Sequence, residues 1–124
     1  MQQHIIIKRT GVHRLLYTFI HSFNGIKWLC KNETAFQQEL MVFIPLTVFA
    51  LWLGLPTIHT LVVILSMVFV LLAEMVNTAI EAVVDRVSLD YHELSGVAKN
   101  IGSAIVLLSI VCSLTVWGTV LYLQ

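Results

Sequence analysis

The fold is indicated most clearly by residues 40–86, which read LMVFIPLTVFALWLGLPTIHTLVVILSMVFVLLAEMVNTAIEAVVDR. No charged residue occurs in this stretch before Glu74, and a Gly-Leu-Pro turn at 54–56 divides it. Because a spanning helix needs roughly 20 apolar residues, we predict one span on each side of the turn, over 33–53 and 58–86. Lipid cannot hydrogen-bond the backbone, so these spans must be helices.

A second uncharged tract, from Asn100 to Gln124, closes the sequence and predicts a third span over 94–123. Of the 124 residues, 58% are hydrophobic and only 11% are charged, with a mean hydropathy of +0.89. This composition predicts one all-α membrane domain, residues 1–124, rather than a soluble core. No segment alternates between apolar and polar residues as the strands of a barrel would.

The first 31 residues are more polar than the rest of the chain. Apolar residues recur there at helical spacing, at Val12, Leu15, Phe19, Phe23 and Ile26. Arg14 lies on the opposite side, so the pattern predicts an amphipathic helix in the headgroup region with Trp28 as an anchor. Packing against the protein's own bundle is the alternative. Residues 1–11 are expected to form a loosely attached arm.

The placement of charge predicts the orientation of the chain. All seven basic residues lie in the first 31 residues or between Arg86 and Lys99. By the positive-inside rule, the N-terminus and the 86–99 segment are cytoplasmic, while the Gly54 turn and the C-terminus lie outside. The net charge of zero suggests neither nucleic acid nor an acidic partner. We therefore expect a multi-pass protein of the cytoplasmic membrane.

Four polar residues end the second predicted span: Glu74, Asn77, Glu81 and Asp85. Their spacing puts them within about 80° of one another on one face of a helix. Ionisable groups in a span are costly, and by default they face a bundle interior or a functional site. Asp85 borders the cytoplasm and could instead simply pair with Arg86.

Further polar residues reach the same membrane face. The carboxylates are Glu33, Glu39 and Glu93, and the third span adds His92, Ser95, Lys99 and Ser103 on one side of its first turns. Oxygen ligands without a cysteine or histidine pair favour magnesium over zinc. A lysine can bind phosphate, and a partly buried glutamate can take a proton from an alcohol. Together these groups suit phosphoryl transfer to a lipid hydroxyl.

Two other classes of protein fit the same residues. The polar groups could hold a non-catalytic bundle together by hydrogen bonds, or a small proton-coupled transporter could cycle a proton on an intramembrane glutamate. Against the transporter, the carboxylates cluster toward one face and only Glu74 is deep. Gly96 and Gly102 do not form the lysine-containing glycine loop of soluble nucleotide enzymes. Any nucleotide site must therefore be built in another way.

Residues 74–86, EMVNTAIEAVVDR, with YHELSG at 91–96 and Ala98-Lys99, resemble the signature of the small bacterial integral membrane diacylglycerol kinases. NETAFQQE at 32–39 resembles the start of that family's first span, and Ser22 with Gly25 resembles its surface helix. The resemblance extends from about residue 14 to residue 117. It is most specific in the second span and the loop that follows.

The resemblance implies an ATP- and magnesium-dependent kinase that makes phosphatidic acid from diacylglycerol and supports phospholipid recycling. It also implies a homotrimer in the bacterial inner membrane, with sites shared between subunits. Glu74 would be the general base, and Glu33 and Glu81 the magnesium ligands. ATP would contact Arg14, Glu33, Glu81, Asp90, Tyr91, His92, Lys99 and Asn100. The lipid would contact Arg14, Ser22, Glu39, Glu74 and Ser103, with Asn77, Asp85 and Glu93 in support.

The sequence departs from the family at a few positions, which are His21, Gln37, Val97 and Asn100. The last matters most, because the family usually has an aspartate beside the lysine. An asparagine still offers a carbonyl oxygen with which to orient Lys99. Relatives in the wider family phosphorylate undecaprenol, and that activity is the alternative here. The HELSG segment with Gly102-Ser103 favours the diacylglycerol branch.

Overall fold

The computed structural model describes residues 9–124, which form four α-helices and no strand. The helices are α1 (Gly11–Asn32), α2 (Thr34–Trp52), α3 (Thr57–Val87) and α4 (Glu93–Tyr122). The predicted all-α membrane class, with an N-terminal amphipathic helix and three spanning helices, is confirmed. The loosely attached arm expected over 1–11 falls mainly on residues 1–8, which lie outside the described residues.

The last three helices are each long and apolar enough to cross a membrane, with 19, 31 and 30 residues. At 1.5 Å per residue, α3 and α4 are each about 45 Å long, against about 30 Å of hydrocarbon. Their ends therefore extend past the apolar layer. Large side chains such as Leu65, Phe69, Leu107 and Leu114 are exposed on these helices, as lipid-facing residues would be.

Contacts divide the described chain into two units, one holding α1 and the other holding residues 33–124. In the first unit, the guanidinium of Arg9 lies 3.3 Å from the centroid of the Tyr17 ring, a cation–π contact just before the helix begins. Apolar side chains of α1, including Val12 and Phe23, are exposed. That residues 1–124 form one domain stays a prediction.

In the second unit, α3 packs mainly on α4 and more lightly on α2. Small residues of α4 make this contact possible, since Gly102, Ser109 and Ser113 are its buried residues together with Val120. Away from the α3–α4 connection, Val63 and Met67 of α3 form an apolar core with Ala50 and Val120. Ser66 and Ser113 share a hydrogen bond of 2.9 Å beside that core.

Two connections set the ends of this bundle. Between α2 and α3, Gly54 has a φ of +64°, a left-handed conformation that glycine adopts without steric cost. Between α3 and α4, His92 caps α4, because its Nδ1 accepts a hydrogen bond of 3.1 Å from the backbone of Leu94. We call these two ends of the bundle the Gly54 end and the Ser88 end.

Candidate active site

Glu74 lies at the centre of a cluster of carboxylates in the half of the bundle nearer the Ser88 end, which we call the Ser88 half. Its side chain is only 5% exposed, although it sits on a helix long enough to span the membrane. The carboxylates of Glu33 and Glu81 are close enough to repel it electrostatically, and so is that of Glu39. The N-terminal half of α2 and the C-terminal half of α3 therefore bring together glutamates that are distant in sequence.

Asn77 and Glu81 are linked along the same face of α3. The Nδ2 group of Asn77 donates to Oε1 of Glu81 at 3.4 Å, one helical turn away. The Oδ1 atom of Asn77 is buried and accepts no hydrogen bond among the described residues. This geometry turns the amide donor toward the carboxylate and leaves an acceptor free in the protein interior.

Lys99 joins α4 to α3 at the Ser88 end. Its Nζ donates to Oδ1 of Asp85 at 2.7 Å, and both side chains are nearly half exposed. Lys99 is also attracted electrostatically by Glu81. Asp85 therefore pairs with Lys99 and not with its neighbour Arg86, because α4 brings the lysine across the helix pair. Asn100 is exposed, and the orienting role expected of it stays a prediction, while the structure places the Asp85 carboxylate against Lys99.

A cavity of about 220 Å³, with charged and polar residues in its wall, opens beside this ion pair. We call it the polar cavity. It is lined by the ion pair itself, by Ser88, Asp90, Tyr91 and His92 of the α3–α4 connection, and by Ser95 and Gly96 in the first turn of α4. Four of the residues that the resemblance assigned to the nucleotide thus lie around one cavity: Asp90, Tyr91, His92 and Lys99. The cavity is built from a loop and two helix ends, without a glycine loop around phosphate.

A second cavity, of about 360 Å³, lies between the three long helices and has mostly apolar walls. Its lining includes Glu39 from α2, Met67 and Val70 from α3, and Leu114 and Trp117 from α4. The Oε2 atom of Glu39 and the Nε1 atom of Trp117 are buried there without a partner among the described residues. An apolar slot with polar atoms at separate points suits an amphiphilic molecule.

Seven predicted site residues of the second unit line neither cavity, and four of them lie in or beside the carboxylate cluster: Glu33, Glu74, Asn77 and Glu81. Arg14 and Ser22 lie on α1, where Thr18 donates to the carbonyl of Arg14 and Ser22 donates to that of Thr18. On α4, Glu93, Asn100 and Ser103 are exposed and line neither cavity. The roles that the resemblance assigned to these residues, and to the other predicted site residues, stay predictions.

The described residues contain no group of three or more histidine, cysteine, aspartate or glutamate side chains arranged to hold a metal ion. The carboxylates of Glu33 and Glu81 are near enough to that of Glu74 to repel it, without forming such a group. Magnesium commonly takes one or two protein carboxylates and completes its shell with phosphate oxygens and water. Carboxylate oxygens are of the ligand type that a magnesium ion arriving with a nucleotide would need, and the assignment of the ion to them stays a prediction.

Sequence reasoning missed three features of this unit. It gave no role to Gly102, against which the Asn77 amide packs, or to the Ser66–Ser113 pair. It also did not single out Trp117 as a site residue, although the indole nitrogen of Trp117 is buried at the apolar cavity. The small residues of α4 could have indicated a helix contact. Their partners on α3, however, can be assigned only when the rotation of α4 relative to α3 is known.

The fold and the site define a helical membrane protein with a carboxylate-rich site near one end of its bundle. The family described as prokaryotic diacylglycerol kinase matches residues 20–121 of this chain. The chain belongs to that family, as the sequence resemblance predicted, and it is accordingly a lipid kinase.

The sequences of three curated relatives match this chain over nearly its whole length. A diacylglycerol kinase of Escherichia coli (strain K12) is 40% identical over 113 residues, which cover 91% of this chain and 93% of the relative. One from Haemophilus influenzae is 41% identical over 118 residues, covering 93% and 98%. One from Pseudomonas aeruginosa is 34% identical over 113 residues, covering 91% and 92%.

Proposed function

We propose that this protein transfers the γ-phosphoryl group of ATP to the free hydroxyl of diacylglycerol, giving phosphatidic acid and ADP. The observation that carries the proposal is a buried glutamate, Glu74, surrounded by further carboxylates in a chain of the diacylglycerol kinase family. An apolar cavity and a polar cavity lie in the same helical unit. This arrangement supplies separate places for a lipid and a nucleotide.

Glu74 acts as the general base in this proposal. It is buried among other carboxylates, and in this proposal its oxygens face the substrate hydroxyl. As the lipid oxygen attacks the γ-phosphorus, the carboxylate takes the hydroxyl proton and the bond to the ADP oxygen breaks. Glu39 lines the apolar cavity and is near enough to Glu74 to be repelled by it, so we place the lipid in that cavity with its hydroxyl at the Glu39 side.

The nucleotide occupies the polar cavity. Lys99 is the cation at its wall, where it can exchange its bond with Asp85 for one with phosphate, and Asp90, Tyr91 and His92 border the same space. Glu33 and Glu81 would hold magnesium, whose charge neutralises phosphate oxygens when it is bound. Arg14 and Asn100 are assigned to the nucleotide, and Ser22 and Ser103 to the lipid, on the family resemblance alone.

We further propose the orientation and the location of the chain. The basic residues near α1 and the Ser88 end put both on the cytoplasmic side of a bacterial inner membrane, where ATP is available. α1, with its exposed apolar side chains, lies along that surface. Phosphatidic acid formed there would return to phospholipid synthesis.

A homotrimer with sites shared between subunits completes the proposal. Three long helices cover few polar side chains by themselves, and Asn77 and Thr78 keep unpartnered polar atoms. Mixing two inactive variants, Glu74→Gln and Glu33→Gln, tests the sharing of sites, because some mixed oligomers would contain one intact site. Recovery of turnover is the expected result. Absence of recovery in well-mixed oligomers would show that each chain carries a whole site.

The substrate is tested with radiolabelled ATP in mixed micelles that offer diacylglycerol and undecaprenol separately. We expect magnesium-dependent label in phosphatidic acid and much less in undecaprenyl phosphate. A reversed preference would assign the protein to the undecaprenol alternative. Folded protein that labels neither lipid would refute the proposed activity.

A further inference from the structure

Gly102 is a position where the protein excludes a side chain. It is buried in α4, and a Cβ atom placed on it would overlap Oδ1 of Asn77 and lie 3.4 Å from Cγ of the same side chain. Gly118 offers a contrast in the same helix, because a Cβ there meets nothing within 4 Å. The lack of a side chain at 102 is therefore tied to one neighbour, the Asn77 amide.

The amide that occupies this space has a second contact. While its Oδ1 packs against Gly102, its Nδ2 donates to Glu81 at 3.4 Å. A methyl group at position 102 would push Oδ1 away, and the planar amide would carry Nδ2 with it. Rotation about χ2, which is broad for asparagine, would move Oδ1 and Nδ2 together and so change the bond to Glu81, which is already long at 3.4 Å.

We infer that Gly102 is a positioning residue for the kinase site, because the space it leaves fixes the Asn77 amide and thereby orients the Glu81 carboxylate. The inference rests on the proposed function, in which Glu81 holds magnesium. Gly102 also lies one turn after Lys99 on α4. The Asn77–Gly102 contact and the Asp85–Lys99 ion pair therefore fix the same stretch of α4 against α3.

A double-mutant cycle tests the inference with a readout that does not require lipid. The variants are Gly102→Ala, Asn77→Ala and the double variant, with Gly118→Ala as the matched control. For each purified protein, the affinity for magnesium with a non-hydrolysable ATP analogue is measured by calorimetry. The unfolding midpoint is measured alongside as a check on the fold.

We expect Gly102→Ala and Asn77→Ala each to weaken binding by about tenfold or more, as loss of an outer partner of a metal ligand does. In the Asn77→Ala background, the additional Gly102→Ala change should alter affinity by less than about twofold, since the methyl then fills vacated space. Gly118→Ala should bind as the parent does. Should Gly102→Ala not fold, recovery of folding in the double variant would support the same contact.

Three results would overturn the inference. The first is an equal loss of magnesium-nucleotide affinity on Gly102→Ala whether or not Asn77 is present. The second is unchanged affinity in Gly102→Ala, and the third is failure of both Gly102→Ala and the double variant to fold. The lipid assay on the unaltered chain runs in parallel and separates the two proposals. If the effects of Gly102→Ala and Asn77→Ala on binding are non-additive but the unaltered chain phosphorylates no lipid, only the proposed activity is refuted. If the chain is active but the two effects are additive, only the role of Gly102 is refuted. A parent that binds no magnesium nucleotide refutes both.

Discussion

The two halves of the α3–α4 pair use polar residues in opposite ways. Toward the Gly54 end, Ser66 and Ser113 hydrogen-bond to each other at 2.9 Å beside an apolar core that includes Val63 and Met67. Toward the Ser88 end, Glu74 is buried among like charges, and Asn77 has a buried acceptor without a partner. The same two helices hold both arrangements.

Under the proposed function, the difference separates residues that hold the bundle together from those that would contact a substrate. A buried polar atom without a partner costs about 1–3 kcal/mol, so several of them in one region are tolerated where a ligand can supply the missing bonds. Thr78 adds another such atom to the Ser88 half. Trp117 is the exception in the other half, and its free indole nitrogen lies at the wall of the apolar cavity.

The strongest way to break this comparison is to replace Glu74 by Gln. If Glu74 is the base, turnover should fall on the order of 10²–10⁴-fold while nucleotide binding is largely kept, since a base acts at the chemical step. Single-turnover kinetics and a nucleotide-binding measurement on the same protein separate the two effects. Near-normal turnover would remove the role assigned to Glu74.

A smaller effect is expected from Glu81→Gln and Glu33→Gln. Each should raise the magnesium concentration for half-maximal activity by at least about tenfold and weaken nucleotide binding, because a neutral amide is a poorer ligand for a hard ion. Magnesium titrations at saturating lipid give the numbers. An unchanged magnesium requirement in both variants would show that these glutamates do not hold the ion.

Position 100 should have a still smaller effect. The amino group of Lys99 already pairs with the Asp85 carboxylate, so the family aspartate is not needed to hold it. We expect Asn100→Asp to raise turnover by less than about tenfold, equivalent to roughly 1.4 kcal/mol.

Asp85→Asn sharpens this expectation. Since it removes the carboxylate that Lys99 contacts, it should lower activity, and Asn100→Asp should partly restore it. Rates at saturating magnesium for the two single variants and their combination provide the test. An inert parent revived by Asn100→Asp would mean that a carboxylate at position 100 is indispensable.

The smallest effect on catalysis is expected at the Gly54 end. Ser66→Ala removes the hydrogen bond to Ser113 and should destabilise the bundle by about 0.6 kcal/mol, as such bonds do in membranes. Turnover below the unfolding midpoint should stay within about twofold of the parent. A large loss of activity without a loss of stability would contradict the division between the two halves.

The number of helices and their approximate bounds follow from the amino-acid sequence alone. Uncharged tracts longer than the hydrocarbon layer leave the backbone no structure in lipid except a helix, and the Gly-Leu-Pro turn and the polar segment 87–93 separate those tracts. The sequence also placed Glu74, Asn77 and Glu81 on one face, because that relation follows from helical periodicity within one segment. The motif at 74–86 was specific enough to predict the family.

The contacts between residues of different helices, in contrast, are known only from the tertiary structure. Asp85 pairs with Lys99 and not with Arg86, and Asn77 lies against Gly102. Neither pairing follows from periodicity, because it depends on the rotation and the axial offset of α4 relative to α3. Those two quantities are set by side-chain packing over the whole length of the helix pair. A single sequence gives the faces of each helix, and the packing of the faces against one another selects the partners.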